Sequence, residues 1–271
     1  MRAKIFLPAL VAGSLISGQS MALEPSGTTV GVVPDAEGSG STGVRVLKIE
    51  GPIFMGDVIT TDIRGQVQIL FVDDTKFVVG ANSKVTIDAF VFDANKTAQD
   101  VTISAVKGAF RFITGNSPKD NYTIRTPTMT IGVRGTAFDL AVRAGSGESM
   151  VVVAEGSTDI CDAVRRCMEA NSGSMVVGSR DGVESVPPGQ DRNQRLESFF
   201  PLLKSQEGLV PGFVLQIPAS VQVNERQSAH PSGAPRALSA PTPPGPPAPS
   251  PPTPPGPPAH PPPVPDGRPQ R

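Results

Sequence analysis

The chain has 271 residues, with 24 Lys and Arg against 25 Asp and Glu, 28 Gly, 30 Pro, two Cys and no Trp. So even a balance argues against nucleic acid as partner, because phosphate recognition needs clustered Lys and Arg. The only histidines, His230 and His260, stand near the C-terminus, so the middle of the chain lacks both the usual base for a nucleophilic enzyme and a common zinc ligand.

Arg2 and Lys4 precede an uncharged run from Ile5 to Ile16, and Ser20-Met21-Ala22 puts small residues at a peptidase cut. Residues 1–22 therefore read as a cleaved signal peptide. The alternative is a membrane anchor, but the run is shorter than the roughly 20 residues that cross a bilayer. Cleavage removes two basic residues and no acidic one, leaving 22 against 25, a net charge of −3. No Cys lies near the cut for lipid attachment, so the mature chain is expected to be periplasmic or secreted, without membrane insertion. Residues 23–42 read as a flexible lead-in.

From Gly43 to about Gln190 the apolar residues alternate. Val67, Ile69 and Phe71 share a face; after the turn cluster Asp73-Asp74-Thr75-Lys76, Phe77 and Val79 resume it. The pattern returns at Val85 to Val91, Val101 to Ala105, Phe110 and Phe112, Tyr122 to Thr126, Met129 to Val133, Ala137 to Val142, Met150 to Ala154 and Met175 to Val177. Short strands closed by Gly, Asn or Asp predict an all-β domain over 43–190, a short-stranded β roll or twisted β-solenoid.

The most distinctive segment is Thr126-Pro127-Thr128-Met129-Thr130-Ile131-Gly132-Val133-Arg134-Gly135-Thr136-Ala137-Phe138. It resembles the hallmark run of the FecR domain family, an apolar strand ending in Gly-Val-Arg-Gly-Thr and then an aromatic. Gly65 to Gly80 is similar to the family's strand pair around an acidic turn, Val106 to Phe110 to the strand after it, Val151 to Gly156 to its valine-rich strand ending Glu-Gly, and Pro188-Gly189-Gln190 to its closing turn. The resemblance spans about Val44 to Gln190. Members that regulate iron-citrate uptake carry a cytoplasmic anti-sigma segment and a membrane helix before this domain, and a module touching an outer-membrane transporter. This chain has only a leader ahead of the domain, so the resemblance implies an exported domain used for binding or assembly.

Read from the residues alone, Gly132 and Gly135 predict a bulge or a close backbone approach. Arg134 between them is expected to lay its guanidinium on a neighbouring turn and satisfy carbonyls; the alternative is an anionic ligand. Thr126, Pro127, Thr136 and Phe138 complete the structural motif, with Phe138 in the core. Cys161 and Cys167, six apart in an exported chain, are expected to form a local disulfide. Zinc is the rival, yet needs more ligands than two thiolates. Asp73, Asp74, Asp88, Asp139 and Glu155 are the available carboxylates, and no spacing pairs them. No phosphate loop, dinucleotide fingerprint or calcium loop is present. The expectation is no catalytic residue, no metal and no cofactor.

After Gln190, Asp191 is expected to cap a helix from Arg192 to Phe200, ended by Pro201, and Leu209 to Val223 to add an extended strap or edge strand; 191–227 thus forms a helix and strap, packed on the domain or serving a partner. From 228 to 271 the repeated Pro-Thr-Pro-Pro-Gly-Pro-Pro-Ala, at Pro241 and again at Pro252, predicts a disordered, polyproline-like tail. The whole reads as a non-catalytic module of the cell envelope that binds an envelope protein or small ligand. The alternative is a sensory regulator, of iron-citrate uptake or another pathway, acting through a separate transmembrane partner.

Overall fold

Short runs of Val, Ile, Phe and Thr, punctuated by Gly, Asn and Asp, fold here into strands rather than helices. A computed structural model of the protein describes residues 24–222; the leader at 1–22 and the proline-rich tail at 228–271 lie outside the described residues. In chain order the strands are β1 (Gly27–Val33), β2 (Ala36–Gly40), β3 (Gly43–Val46), β4 (Pro52–Ile53), β5 (Val58–Thr61), β6 (Gln66–Phe71), β7 (Lys76–Val79) and β8 (Lys84–Phe92). They continue with β9 (Ala98–Ile113), β10 (Tyr122–Arg125), β11 (Thr130–Val133), β12 (Ala137–Val142), β13 (Ser149–Glu155), β14 (Ser157–Cys161), β15 (Cys167–Asn171), β16 (Met175–Ser179) and β17 (Gly182–Ser185).

These strands make two facing sheets. The first runs β4-β1-β6-β7-β9-β12-β13-β16-β17. The second runs β3-β2-β5-β8-β9-β10-β11-β14-β15. β9 belongs to both: Ala98 to Lys107 pairs with β8, and Gly108 to Ile113 with β12. Gly108 sits at the bend with φ 112°, where a Cβ would fall 2.0 Å from the Ser83 hydroxyl. Past β9, hairpins alternate between sheets, β10-β11, β12-β13, β14-β15, β16-β17, which gives an all-β roll whose sheets are not closed. Every pairing is antiparallel except β9 with β10.

Between the sheets lies the main core. Phe71, Phe77, Phe110, Phe112 and Phe138 are each at most 1% exposed there, and burying such a side chain contributes roughly 1.5–3 kcal/mol. Phe112 stacks on Phe138 at 5.4 Å and meets Tyr122 edge-on at 5.8 Å. The outer face of the first sheet is also covered. α1 (Gln190–Phe199), α2 (Pro201–Lys204) and 3-10 turns at Pro211–Phe213 and Ala219–Val221 lie across it. Leu196, Phe200, Leu203 and Val221 pack on Ala141, Met150, Val152, Met175 and Val177; Leu202 and Phe213 pack on Val78. This explains why Met150 to Ala154 reads as one unbroken apolar run: a strand buried on both faces loses its alternation.

Three expectations are corrected. Of the flexible lead-in expected at 23–42, the described residues 24–42 are mostly strand instead: β1 sits inside the first sheet between β4 and β6, and β2 inside the second between β3 and β5, with Thr29 and Ala36 buried. The glycines and serines there keep strand geometry because neighbours satisfy both edges. The helix starts at Gln190 after Gly189, with no side-chain cap; Asp191 instead pairs with Arg195 at 2.9 Å, and Pro201 opens a second short helix at a position needing no N–H donor. Residues 209–222 add no strand, because Pro211 and Pro218 each start a 3-10 turn.

Candidate functional site

The distinctive segment is a crossing point. β11 lies in the second sheet and β12 in the first, so Arg134-Gly135-Thr136 carries the chain from one layer to the other. Glu155-Gly156-Ser157 does the reverse between β13 and β14, and the two corners stack. The Arg134 amide donates to the Ser157 carbonyl at 3.3 Å, and the Thr136 hydroxyl donates to the Glu155 carbonyl. Gly135 has φ 81° and Gly156 φ 73°; a Cβ on Gly156 would fall 2.1 Å from the Gly135 carbonyl oxygen. The Thr136 amide donates to the Thr114 hydroxyl at 2.9 Å, tying the corner to the end of β9. Phe138 then enters the core fully buried.

Gly132 departs from expectation. It holds regular register with Thr123 and Asp159, and a Cβ there would meet nothing nearer than 3.9 Å. Arg134 also lies otherwise than expected. Its side chain is 60% exposed on the outer face of the second sheet, where Nε donates to Asp159 at 2.5 Å across β11 and β14. That hydrogen bond and the charge of Asp159 hold the guanidinium above its ordinary pKa. Thr126 shapes the β10-β11 turn: its hydroxyl accepts the Met129 amide at 3.0 Å, with Pro127 exposed at the tip. Thr128, beside it, sits within hydrogen-bond distance of the carbonyls of Gly147 at 3.1 Å and Gly178 at 2.9 Å.

Cys161 and Cys167 are bonded to each other, directly opposite in the β14-β15 hairpin. Inside that loop the Asp162 carboxylate accepts the amides of Val164 at 3.0 Å and Arg166 at 2.9 Å and the Arg166 Nε at 2.7 Å. Desolvation works to raise the Asp162 pKa, yet these donors outweigh it and hold the carboxyl below its ordinary value.

The carboxylates read from the sequence separate by role. Asp88 and Glu155 are exposed. Asp73 is buried and accepts the Thr75 amide at 3.0 Å and the Tyr122 hydroxyl at 2.5 Å; burial and then that bond to Asp73 raise the Tyr122 pKa. Asp74 takes the Asn116 side-chain amide at 2.6 Å, so the acidic turn and Gly115-Asn116 interlock. Asp139 is buried against Arg111, Nε to Oδ1 at 2.7 Å and Nη2 to Oδ2 at 2.9 Å. Arg111 also donates to Gln206 and to the carbonyls of Leu202 and Phe213. Burial pushes the Asp139 carboxyl up, and the Arg111 guanidinium opposes it.

Residues 57–158 match the family described as FecR protein. This stretch is similar to a FecR domain. No curated protein sequence matches the chain. Two crystal structures of a Parabacteroides distasonis protein, described as a "putative anti-sigma factor", align at TM-score 0.37 and 15% identity, over 48% of this chain and 58% of that one. The chain thus spans under two thirds of that protein's length.

The FecR match opens at Asp57, just before β5, and closes at Thr158 in β14. It contains the interlocked acidic turn, the Arg111–Asp139 pair and the two stacked corners. The disulfide hairpin, β16, β17 and the helical strap lie beyond it. Sequence reasoning missed Arg111, Tyr122 and Gln206 as partners. Arg111 standing between Phe110 and Phe112 in an apolar run was the one signal available for it, since a charge there must be paired. Among the described residues no helix is long and apolar enough to cross a membrane.

Proposed function

We propose that this FecR-like protein is an exported, non-catalytic binding module of the cell envelope, acting after removal of residues 1–22. One observation carries the reading: the buried ionisable groups of the roll are consumed in holding it together. Asp73 is saturated by Thr75 and Tyr122, and Asp139 by Arg111, which in turn anchors the strap. What the fold offers outward is its hairpin turns and the open face of the second sheet. The disulfide supports an oxidising compartment. Export is tested by intact mass: the envelope or medium fraction yields a chain beginning at Leu23.

Binding is tested by cross-linking the mature chain in the envelope fraction. The expected result is an envelope protein retained in stoichiometric amount, and small-molecule turnover by the purified chain contradicts the non-catalytic reading. The FecR match supports a second reading, an envelope signalling regulator working through a transmembrane partner. Deleting the gene and measuring transcripts of iron-citrate uptake and other envelope genes separates the two: a scaffold leaves them unchanged, and a regulator shifts a defined set.

A further inference from the structure

Four hairpin turns meet at one end of the roll. The Thr128 hydroxyl of the β10-β11 turn lies within hydrogen-bond distance of the carbonyls of Gly147 in the β12-β13 turn and Gly178 in β16. Arg166 of the β14-β15 turn donates to the Asp181 carbonyl of the β16-β17 turn at 3.1 Å. Between them, Val106, Pro127, Thr128, Arg143, Gly145 and Arg180 line a cleft of about 280 Å³.

This end carries Lys107, Arg125, Arg143, Arg165, Arg166 and Arg180 against Glu148, Asp162, Asp181 and Glu184. Six cations minus four anions leave +2 on a chain whose mature sum is −3. Glu148 is taken by Arg143 and Arg195, and Asp162 by Arg166. Among the described residues, Arg125, Arg165 and Arg180 have neither carboxylate nor hydrogen-bond partner for their guanidinium groups, and all three are exposed. Nothing in the fold uses them.

The turn that presents Arg165 is held rigidly. The disulfide closes it, Asp162 fixes the Val164 and Arg166 amides, and Arg165 itself is locked at φ 61°, a conformation that a side-chain-bearing residue adopts only when its surroundings impose it. On this stiff tip Val164 is 70% exposed and Arg165 free. Fixing an apolar side chain and a cation in the open beforehand lowers the ordering entropy of a contact.

We propose that this loop end docks an extended acidic segment of a partner protein, its carboxylates on Arg165 and Arg180 and an apolar side chain against Val164 or in the cleft between Val106 and Pro127. The proposal rests on the binding-module reading. Charge complementarity selects an acidic partner, and the exposed Val164, Val106 and Pro127 select a peptide over a bare polyanion.

The test uses the full mature chain and a display library of random twelve-residue peptides. Support is enrichment of peptides with carboxylates around an apolar residue. Their affinity should fall at least about tenfold in Arg165→Gln/Arg180→Gln, and fall again in Val164→Ser, while all variants melt as wild type does, since surface substitutions shift stability little. Raising salt from about 50 to about 500 mM should weaken binding by a similar factor. The proposal is overturned if acidic peptides are not enriched, if the double variant binds them unchanged, or if phosphatidylglycerol vesicles or polyphosphate bind as tightly and ignore Val164→Ser. In the cross-linking experiment, a double variant that still captures the envelope partner sinks this surface alone. Failure of the wild type to capture anything sinks the reading beneath it.

Discussion

Arg111 of β9 and Asp139 of β12 face each other in register on the outer side of the first sheet, joined by two hydrogen bonds and roofed by the strap. Removing one partner of such a pair leaves a charge buried without compensation, which costs about 3–5 kcal/mol. Asp139→Ala should therefore lower the urea midpoint sharply, whereas Asp139→Ala/Arg111→Met should lose less than the two single changes added together. Additive losses would show that the two groups act independently.

The glycines of the crossing corners should rank by geometry. Gly156→Ala combines a positive φ with a Cβ 2.1 Å from a backbone oxygen, and should cost more than about 3 kcal/mol. Gly135→Ala carries the φ strain but meets only the Lys119 side chain at 3.6 Å, so about 1–2 kcal/mol is expected. Gly132→Ala should be nearly neutral. Thermal melts of the three variants check the order, and a costly Gly132→Ala would break it.

Arg134→Lys should leave the melting temperature close to that of wild type, because the pair with Asp159 is exposed on the sheet surface and such pairs contribute little. A melt displaced by ten degrees would mean that the guanidinium holds more of the fold than Asp159.

Cys161→Ser/Cys167→Ser should cost about 2 kcal/mol, the entropy gained by an unfolded chain freed of a short loop. Thiol labelling before denaturation should find no free sulfhydryl in the native wild type.

Acid should expose the role of Glu148. Burial pushes its pKa up, but Arg143 and Arg195 together outweigh that and hold it below the ordinary 4.5. A depressed carboxylate stabilises fully above its ordinary value and loses the effect as pH falls through the folded one. Wild type should exceed Glu148→Gln by about 1 kcal/mol at pH 7, two part-exposed ion pairs' worth, and converge with it below that window. Parallel melting curves at all pH values would remove Glu148 from the account.

How much of this was legible beforehand divides along sequence distance. Phe71, Phe77 and Phe138 announced strands because alternation is local, and the Cys161–Cys167 bond follows from a hairpin six residues apart. β1 itself was legible, since Gly27–Val33 holds five β-branched residues that favour a strand, but its pairing with β6, about forty residues on, is a long-range contact that no local pattern marks. Arg134 was misread because its neighbours Gly132, Val133 and Gly135 look like interior residues. Only the layer change at the corner turns its side chain outward. Gln206 bonding Arg111 depends on a strap folding over a finished sheet, which no local pattern encodes.

The strand shared by both sheets has a consequence for how the molecule is made. Thr28 pairs with Leu70, and the far half of β9 waits for β12 on one side while β7 lies on the other. A chain delivered N-terminus first therefore exposes unpaired edges for as long as their partners remain unmade, and pairing at such sequence distance is intrinsically slow. Because both layers share one sixteen-residue strand, neither is complete until β9 is in place. The second edge of β9 should therefore be the last to close, when β12 and the hairpins after it arrive.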